Sequence, residues 1–160
     1  MNAPHASAAP LPAPEPEIGA GILDRYRVED QIGYLLRRAH QRASSIFEAV
    51  MREFSVTPVQ FAVLCKLHDL GPTSQNHVGR LVGVDPATMF GVARRLTARG
   101  LVRPTADEAD ARLVLLALTD EGVRVIEAMK GRGPEVTART LAPLSPAEAD
   151  MLVRLIARLG

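Results

Sequence analysis

The chain of 160 residues has one cysteine, Cys65, no tryptophan, four phenylalanines and two tyrosines. A lone cysteine excludes an internal disulfide and a cysteine-built zinc site, because both need partners in the same chain, so stability has to come from packing. The longest uninterrupted apolar run, Leu113 to Leu118, falls far short of the roughly 20 residues a membrane helix needs. The N-terminus also lacks a basic start followed by an apolar stretch. A soluble, cytoplasmic protein with no membrane attachment is therefore expected. There is no G-x-S-x-G, no H-E-x-x-H and no glycine-rich phosphate loop, and no serine or cysteine has a base beside it, so neither an enzyme nor a bound cofactor is expected.

What is present is enough apolar material, 47% of the residues, for one globular domain with a core. Nineteen basic and eighteen acidic residues leave a net charge of +1, but the charge is uneven. From Asn76 to Arg103 there are five arginines (Arg80, Arg94, Arg95, Arg99, Arg103) against the single acid Asp85, whereas residues 1–30 carry two arginines and five acids. A basic centre in a neutral chain is the electrostatic footprint of a polyanion partner. Seventeen of the nineteen cations are arginine; that bias suits forked contacts to phosphate or guanine, and it also follows from a GC-rich genome. Residues 1–20 hold five of the twelve prolines and six alanines with almost no large apolar side chain, which predicts a disordered leader. The folded domain is expected from about residue 26 to 160.

From about Glu29 to Phe54, apolar residues recur every three or four positions (Ile32, Leu35, Leu36, Ala39, Ala43, Ile46, Phe47, Val50), predicting one long amphipathic helix with His40 on its apolar face. Thr57-Pro58-Val59-Gln60 is a capping box that opens a second helix to about Leu70, apolar on nearly all sides and so expected at the centre of the fold. Ser74 caps a short helix to Val82, and Asp85-Pro86 start another after the Gly83-Val84 turn. Leu101 to Thr105 and Leu113 to Leu118 read as a hairpin with a charged tip. Thr119 caps a further helix, which Gly131, Gly133 and Pro134 are expected to kink or break. Ser145-Pro146-Ala147-Glu148 opens a last helix striped by Leu152, Leu155, Ile156 and Leu159. The fold class is thus mainly α with a small β-hairpin wing.

Val78 to Val92 has the size pattern of two helices crossing at about 90 to 120°: small Gly79 at the close approach, Gly83 in the turn, and Val82, Val84, Met89 and Val92 as shared core. This is a helix-turn-helix. With Met89, Val92, Ala93 and Leu96 inward, the wheel places Ala87, Thr88, Gly91, Arg94, Arg95 and Ala98 outward. Small residues alternating with long cations let a backbone approach the major groove while arginines reach guanine edges or phosphates and Thr88 or Ala87 meets thymine methyls. Arg112, on a tip that also carries Asp107, Glu108 and Asp110, is the candidate cation for the adjacent minor groove, with acids serving to orient it, the alternative being an ordinary solvated turn.

In the order of its elements the chain resembles the MarR family of winged-helix transcription regulators. The resemblance is carried by Leu81-Val82-Gly83-Val84-Asp85-Pro86-Ala87-Thr88-Met89 leading to Arg95-Leu96 and Gly100-Leu101-Val102-Arg103. Asp107, Asp110 and Arg112, then Leu118-Thr119 and Gly122, complete it. His77-Val78-Gly79 and Phe90 depart from the family pattern. The resemblance implies a homodimeric repressor, a winged helix-turn-helix with a DNA-binding lobe at 57–118 and dimerisation helices at 26–54 and 120–160, and a recognition helix at 85–99 ending in Arg99. It also implies release from DNA by a small anionic aromatic ligand. Twofold pairing sets two recognition helices about 34 Å apart on a palindromic operator of about 15 to 20 base pairs.

Tyr34 to Arg42 is similar to the branch of the family controlling aromatic and N-heteroaromatic acid breakdown. His40, with Arg38 or His68, is the candidate cation or donor for such a ligand, the alternative for His40 being a structural histidine at the dimer interface. Cys65 reads as core, since apolar burial suppresses thiolate, and peroxide-sensing relatives carry their cysteine on the first helix. His68, Asp69 and His77 lack tight metal-ligand spacing, so no metal is expected. The rival readings are a winged-helix protein-protein interaction module and a metal- or redox-responsive regulator of the same fold.

Overall fold

The computed structural model describes residues 26–107, 110 and 112–159; the leader expected at 1–20 lies outside them. Six α-helices and a three-stranded sheet follow in the order α1 (Ile32–Val50), α2 (Pro58–Leu70), β1 (Thr73–Ser74), α3 (Gln75–Leu81), α4 (Pro86–Ala98), β2 (Val102–Ala106), β3 (Val114–Leu118), α5 (Asp120–Leu141) and α6 (Pro146–Ile156). The chain divides into two compact units with the boundary between Arg38 and Ala39. In the first, a 3-10 turn at Val28–Asp30 precedes α1, and Arg37 stacks over the Tyr34 ring at 5.9 Å.

The second unit holds the core. Helix α2 starts where its capping box dictates: the Gln60 amide donates to the Thr57 hydroxyl at 3.3 Å, and the Thr57 amide donates to Gln60 Oε1 at 3.0 Å. Its Val63, Leu64 and Leu67 are fully enclosed with Val78 of α3, Met89 and Leu96 of α4, Val102 of β2, and Ile126 and Met129 of α5. Helix α1 contributes Phe47 and Val50, and Phe47 packs its ring against Phe61 with centroids 5.4 Å apart. The chain leaves α1 through a 3-10 turn, Arg52–Phe54, closed by Ser55 in the left-handed region at φ 51°.

The expected hairpin is present, and a third strand joins it to make an antiparallel sheet in the order β1-β3-β2: Thr73 pairs with Leu116 on one side and Pro104 with Leu116 on the other. One expectation from sequence needs correction. Helix α5 neither breaks nor restarts at Gly131, Gly133 and Pro134 but runs through them as 22 residues. A proline clashes with the Cβ of the residue before it, and here that residue is glycine, so part of the obstacle is absent. Ion pairs also hold the stretch in place: Arg132 pairs with Glu53 of the turn after α1, and within α5 Glu135 accepts from Arg139 at 2.6 Å.

Helix α6 begins at a partial capping box, the Glu148 carboxylate accepting from the Ser145 amide at 2.8 Å and its hydroxyl at 2.7 Å. None of its residues is buried: Met151, Leu152, Val153, Leu155 and Ile156 all face solvent. The same is true of Ile32, Leu35 and Leu36 in the first turns of α1.

Candidate nucleic-acid interface

Helices α3 and α4 form the helix-turn-helix. Ser74 caps α3 by accepting from the His77 amide at 3.4 Å. Gly79 lies where the two helices touch: a Cβ there would meet the Met89 side chain at 3.3 Å. Gly83 turns the chain at φ +69°, a conformation that favours glycine, and the Val84 amide closes the turn on the Gly79 carbonyl at 3.0 Å. Helix α4 then buries Met89, Val92, Ala93 and Leu96, the face its sequence predicts. Ala87, Thr88, Arg94, Arg95 and Ala98 are exposed, and Gly91 is half-exposed.

The start of α4 is tightly organised. Asp85 accepts from the Thr88 amide at 2.9 Å and from its hydroxyl at 2.6 Å, and these bonds, the hydroxyl's foremost, hold the Asp85 carboxyl below the ordinary carboxylate range. The Thr88 hydroxyl donates its proton to the cap, although the residue as a whole is exposed. The Arg95 guanidinium lies over Gly91, 3.4 Å from where a Gly91 Cβ would stand, an ordinary contact distance. Arg94 is exposed, without a hydrogen bond or ion pair among the described residues.

Arg99, expected among the DNA-binding residues, is engaged within the chain. Its two terminal nitrogens donate to the carbonyl oxygens of Ser55 and Phe54, each at 2.6 Å, so it ties the end of α4 to the turn after α1. Its guanidinium satisfies carbonyls that the left-handed turn at Ser55 leaves without helical partners.

The wing is the β2–β3 hairpin. At its tip the Asp110 amide donates to Asp107 Oδ1 at 2.9 Å and the Arg112 amide to Asp110 Oδ1 at 3.0 Å. Arg112 Nε lies 3.8 Å from the same oxygen, with the side chain 96% exposed. The two acids thus organise the backbone from which Arg112 projects. The base of the wing is locked to α5: the Thr119 amide donates to the Leu101 carbonyl at 3.1 Å, and its hydroxyl donates to the Gly100 carbonyl at 2.6 Å while accepting from the Gly122 amide at 3.0 Å. A Cβ on Gly122 would stand 2.0 Å from the Leu101 carbonyl oxygen, so glycine is obligatory at this joint.

Of the three ligand candidates, Arg38 belongs to the first unit. His40 is exposed, its Nε2 3.4 Å from the Ser44 hydroxyl. His68, at the end of α2, is held in a charged cluster that the sequence does not announce. Lys130 of α5 donates to Asp69 at 2.7 Å and reaches His68 Nδ1 at 3.1 Å, and Glu127 lies 3.8 Å from His68 Nε2. The bond to Lys130 lowers the Asp69 pKa and, reciprocally, raises that of Lys130. Cys65 is half-buried, and burial pushes its thiol up. Among the described residues no three histidine, cysteine or carboxylate groups converge as a metal site would require, and no helix is long and apolar enough to cross a membrane.

A sequence model of the MarR family matches residues 56–114, the stretch from the start of α2 to the first residue of β3. The HTH-type transcriptional repressor NicR of Pseudomonas putida is 34% identical over 134 residues, covering 84% of this chain and 85% of that protein. The crystal structure of a probable transcriptional regulator from Pseudomonas aeruginosa superposes with a TM-score of 0.79 at 40% identity, covering 84% of this chain and all of the other. BpsR of Bordetella bronchiseptica, whose DNA binding is regulated by 6-hydroxynicotinic acid, superposes with a TM-score of 0.78 at 38% identity, covering 84% of this chain and 96% of its own. The helix-turn-helix, the outward cationic face of α4 and the wing locked to α5 are thus those of a winged-helix transcription regulator, not of an enzyme, and the chain belongs to the MarR family.

Proposed function

We infer that this protein is a homodimeric repressor that binds a palindromic operator and is released by a small aromatic acid. The observation that carries the DNA-binding part is the division of α4. Four side chains are sunk in the core, and a row of small residues and arginines is left outside, on a helix fixed at its start by the Asp85 cap. Ala87, Thr88, Gly91, Arg94 and Arg95 are assigned to the major groove and Arg112, steadied by Asp107 and Asp110, to the minor groove. Arg99 acts through the placement of α4 rather than by touching phosphate.

Dimerisation is supported by the apolar side chains that α6 and the first turns of α1 leave in water. Leu144, just before α6, and Ala147, Glu148, Met151, Leu152 and Leu155 on it line an open, mostly apolar groove of about 490 Å³. A patch of this kind marks an interaction surface, and a second copy supplies the matching face by symmetry. In this reading 57–118 is the DNA-binding lobe, with 26–54 and 120–160 as the pairing helices.

An aromatic acid as effector is supported by the likeness to BpsR, whose DNA binding is regulated by 6-hydroxynicotinic acid. Arg38, His40 and His68 are the residues assigned to its carboxylate or ring nitrogen. Release by 10- to 100-fold requires a coupling of only about 1.4 to 2.7 kcal/mol between the two sites.

The test is a binding titration of the purified chain against a random-sequence duplex pool at two salt concentrations, repeated with 6-hydroxynicotinic acid and a panel of benzoic acids. The expected results are a dimer in sedimentation, affinity falling steeply with salt, and release by one of the acids. A monomer, or no retention of duplex DNA at low ionic strength, overturns the repressor reading; unchanged effector binding in His40→Ala removes His40 from the ligand site.

A further inference from the structure

Three of the four phenylalanines belong to the core, Phe47 buried and Phe54 and Phe61 packed against it. The fourth, Phe90, is 61% exposed and is the one large apolar side chain that α4 leaves in water. At 3.6 residues per turn it lies about 70° from the centre of the outward face, on the border of the row made by Ala87, Gly91, Arg94 and Ala98. Arg94, four residues on, is its neighbour along the helix surface. The side chains beside it are small or polar, so nothing on α4 shields the ring.

A phenyl ring neither donates nor accepts a hydrogen bond, so it reads no amide, carbonyl or phosphate oxygen. The apolar feature a base pair displays in the major groove is the C5 methyl of thymine. A ring placed in the first half of a recognition helix, where base edges are contacted, meets that feature if a thymine stands there. We propose that Phe90 is a specificity-determining residue that selects a thymine in each half of the operator by packing its ring on the C5 methyl. One helical turn is about 5.4 Å and base pairs are spaced by about 3.4 Å, so this thymine lies within two base pairs of the position reached by Arg94. The assignment rests on the DNA-binding reading above and adds to it a base preference that the arginines do not supply.

The experiment uses the full-length chain and its Phe90→Ala and Phe90→Ser variants, each used to enrich binders from a random 20-base-pair duplex library. Affinities are then measured on the duplex the wild-type chain selects, with thymine or deoxyuridine at the selected positions. Because Phe90 is exposed, both variants should melt at the wild-type temperature. The expected result is a symmetric pair of thymines in the wild-type selection. Their replacement by deoxyuridine should weaken wild-type binding by about 4-fold for one half-site and about 15-fold for both, the worth of one buried methyl each. Both variants should bind the thymine and deoxyuridine duplexes equally. A wild-type chain indifferent to deoxyuridine, or a variant that keeps the wild-type ratio, overturns the role of Phe90 while leaving DNA binding intact. Failure of the wild-type chain to enrich any duplex overturns the repressor reading and this assignment with it.

Discussion

Helices α4 and α6 are built by the same rules and end in opposite situations. Each follows a side-chain cap, Asp85 or Ser145, each has proline at its first position, and each carries a continuous apolar stripe. Helix α4 buries that stripe in its own chain, and α6 buries none of it. Local signals therefore establish that a helix forms and which face is apolar, but the cover for that face is a property of what lies opposite. For α4 the cover is α2 and α3; for α6 it is assigned here to a twin chain.

The contrast can be broken most directly by cutting into each stripe. Leu96→Ala, at a fully buried site on α4, should lower unfolding free energy by about 2 to 5 kcal/mol, measured by urea denaturation, with the loss independent of protein concentration. Leu155→Glu on α6 should instead leave the secondary structure of the chain in place and shift the sedimentation profile towards monomer. A concentration-independent loss of stability in Leu155→Glu as large as that of Leu96→Ala would erase the distinction between the two helices.

A smaller effect sharpens the functional side of the comparison. Arg94→Ala should reduce the salt slope of DNA binding by about one unit for each helix engaged, measured by titrations at several ionic strengths, with little change in melting temperature. Arg99→Ala should do the reverse, lowering the melting temperature because Phe54 and Ser55 lose their donor, with the salt slope almost unchanged.

The smallest expected effect is on pH. Asp85 has its carboxyl pKa lowered by Thr88, so its share of stability is present above the ordinary carboxylate range and fades as pH falls through the folded-state value. Asp85→Asn should flatten that acid limb in a melting series from pH 7 downwards while keeping a cap on α4.

Much of this fold is legible in the sequence because its signals are local. The Thr57-Gln60 box, the Asp85-Pro86 start and the inward set of Met89, Val92, Ala93 and Leu96 follow from capping and periodicity, and Gly79 from the size pattern of crossing helices. Strand β1 is not legible, being two residues long with no alternation to read. The continuity of α5 through Pro134 is hidden because a proline is a strong local breaker and one of the ion pairs holding the helix, Arg132 with Glu53, comes from a residue distant in sequence. The intramolecular bonds of Arg99 are hidden for the same reason: it stands in a basic run, and the carbonyls it donates to lie 44 and 45 residues away. The Lys130 cluster likewise joins residues more than 60 positions apart.

The joint at Gly122 has a mechanical consequence. With the Leu101 carbonyl seated where a side chain would otherwise be, and Thr119 bonded to both strand and helix, there is no play between the hairpin and the first turn of α5. Any tilt of that turn is delivered to the hairpin tip as a lever delivers rotation, its throw set by the length of two five-residue strands. The hairpin tip that carries Arg112 is aimed from the helix behind it.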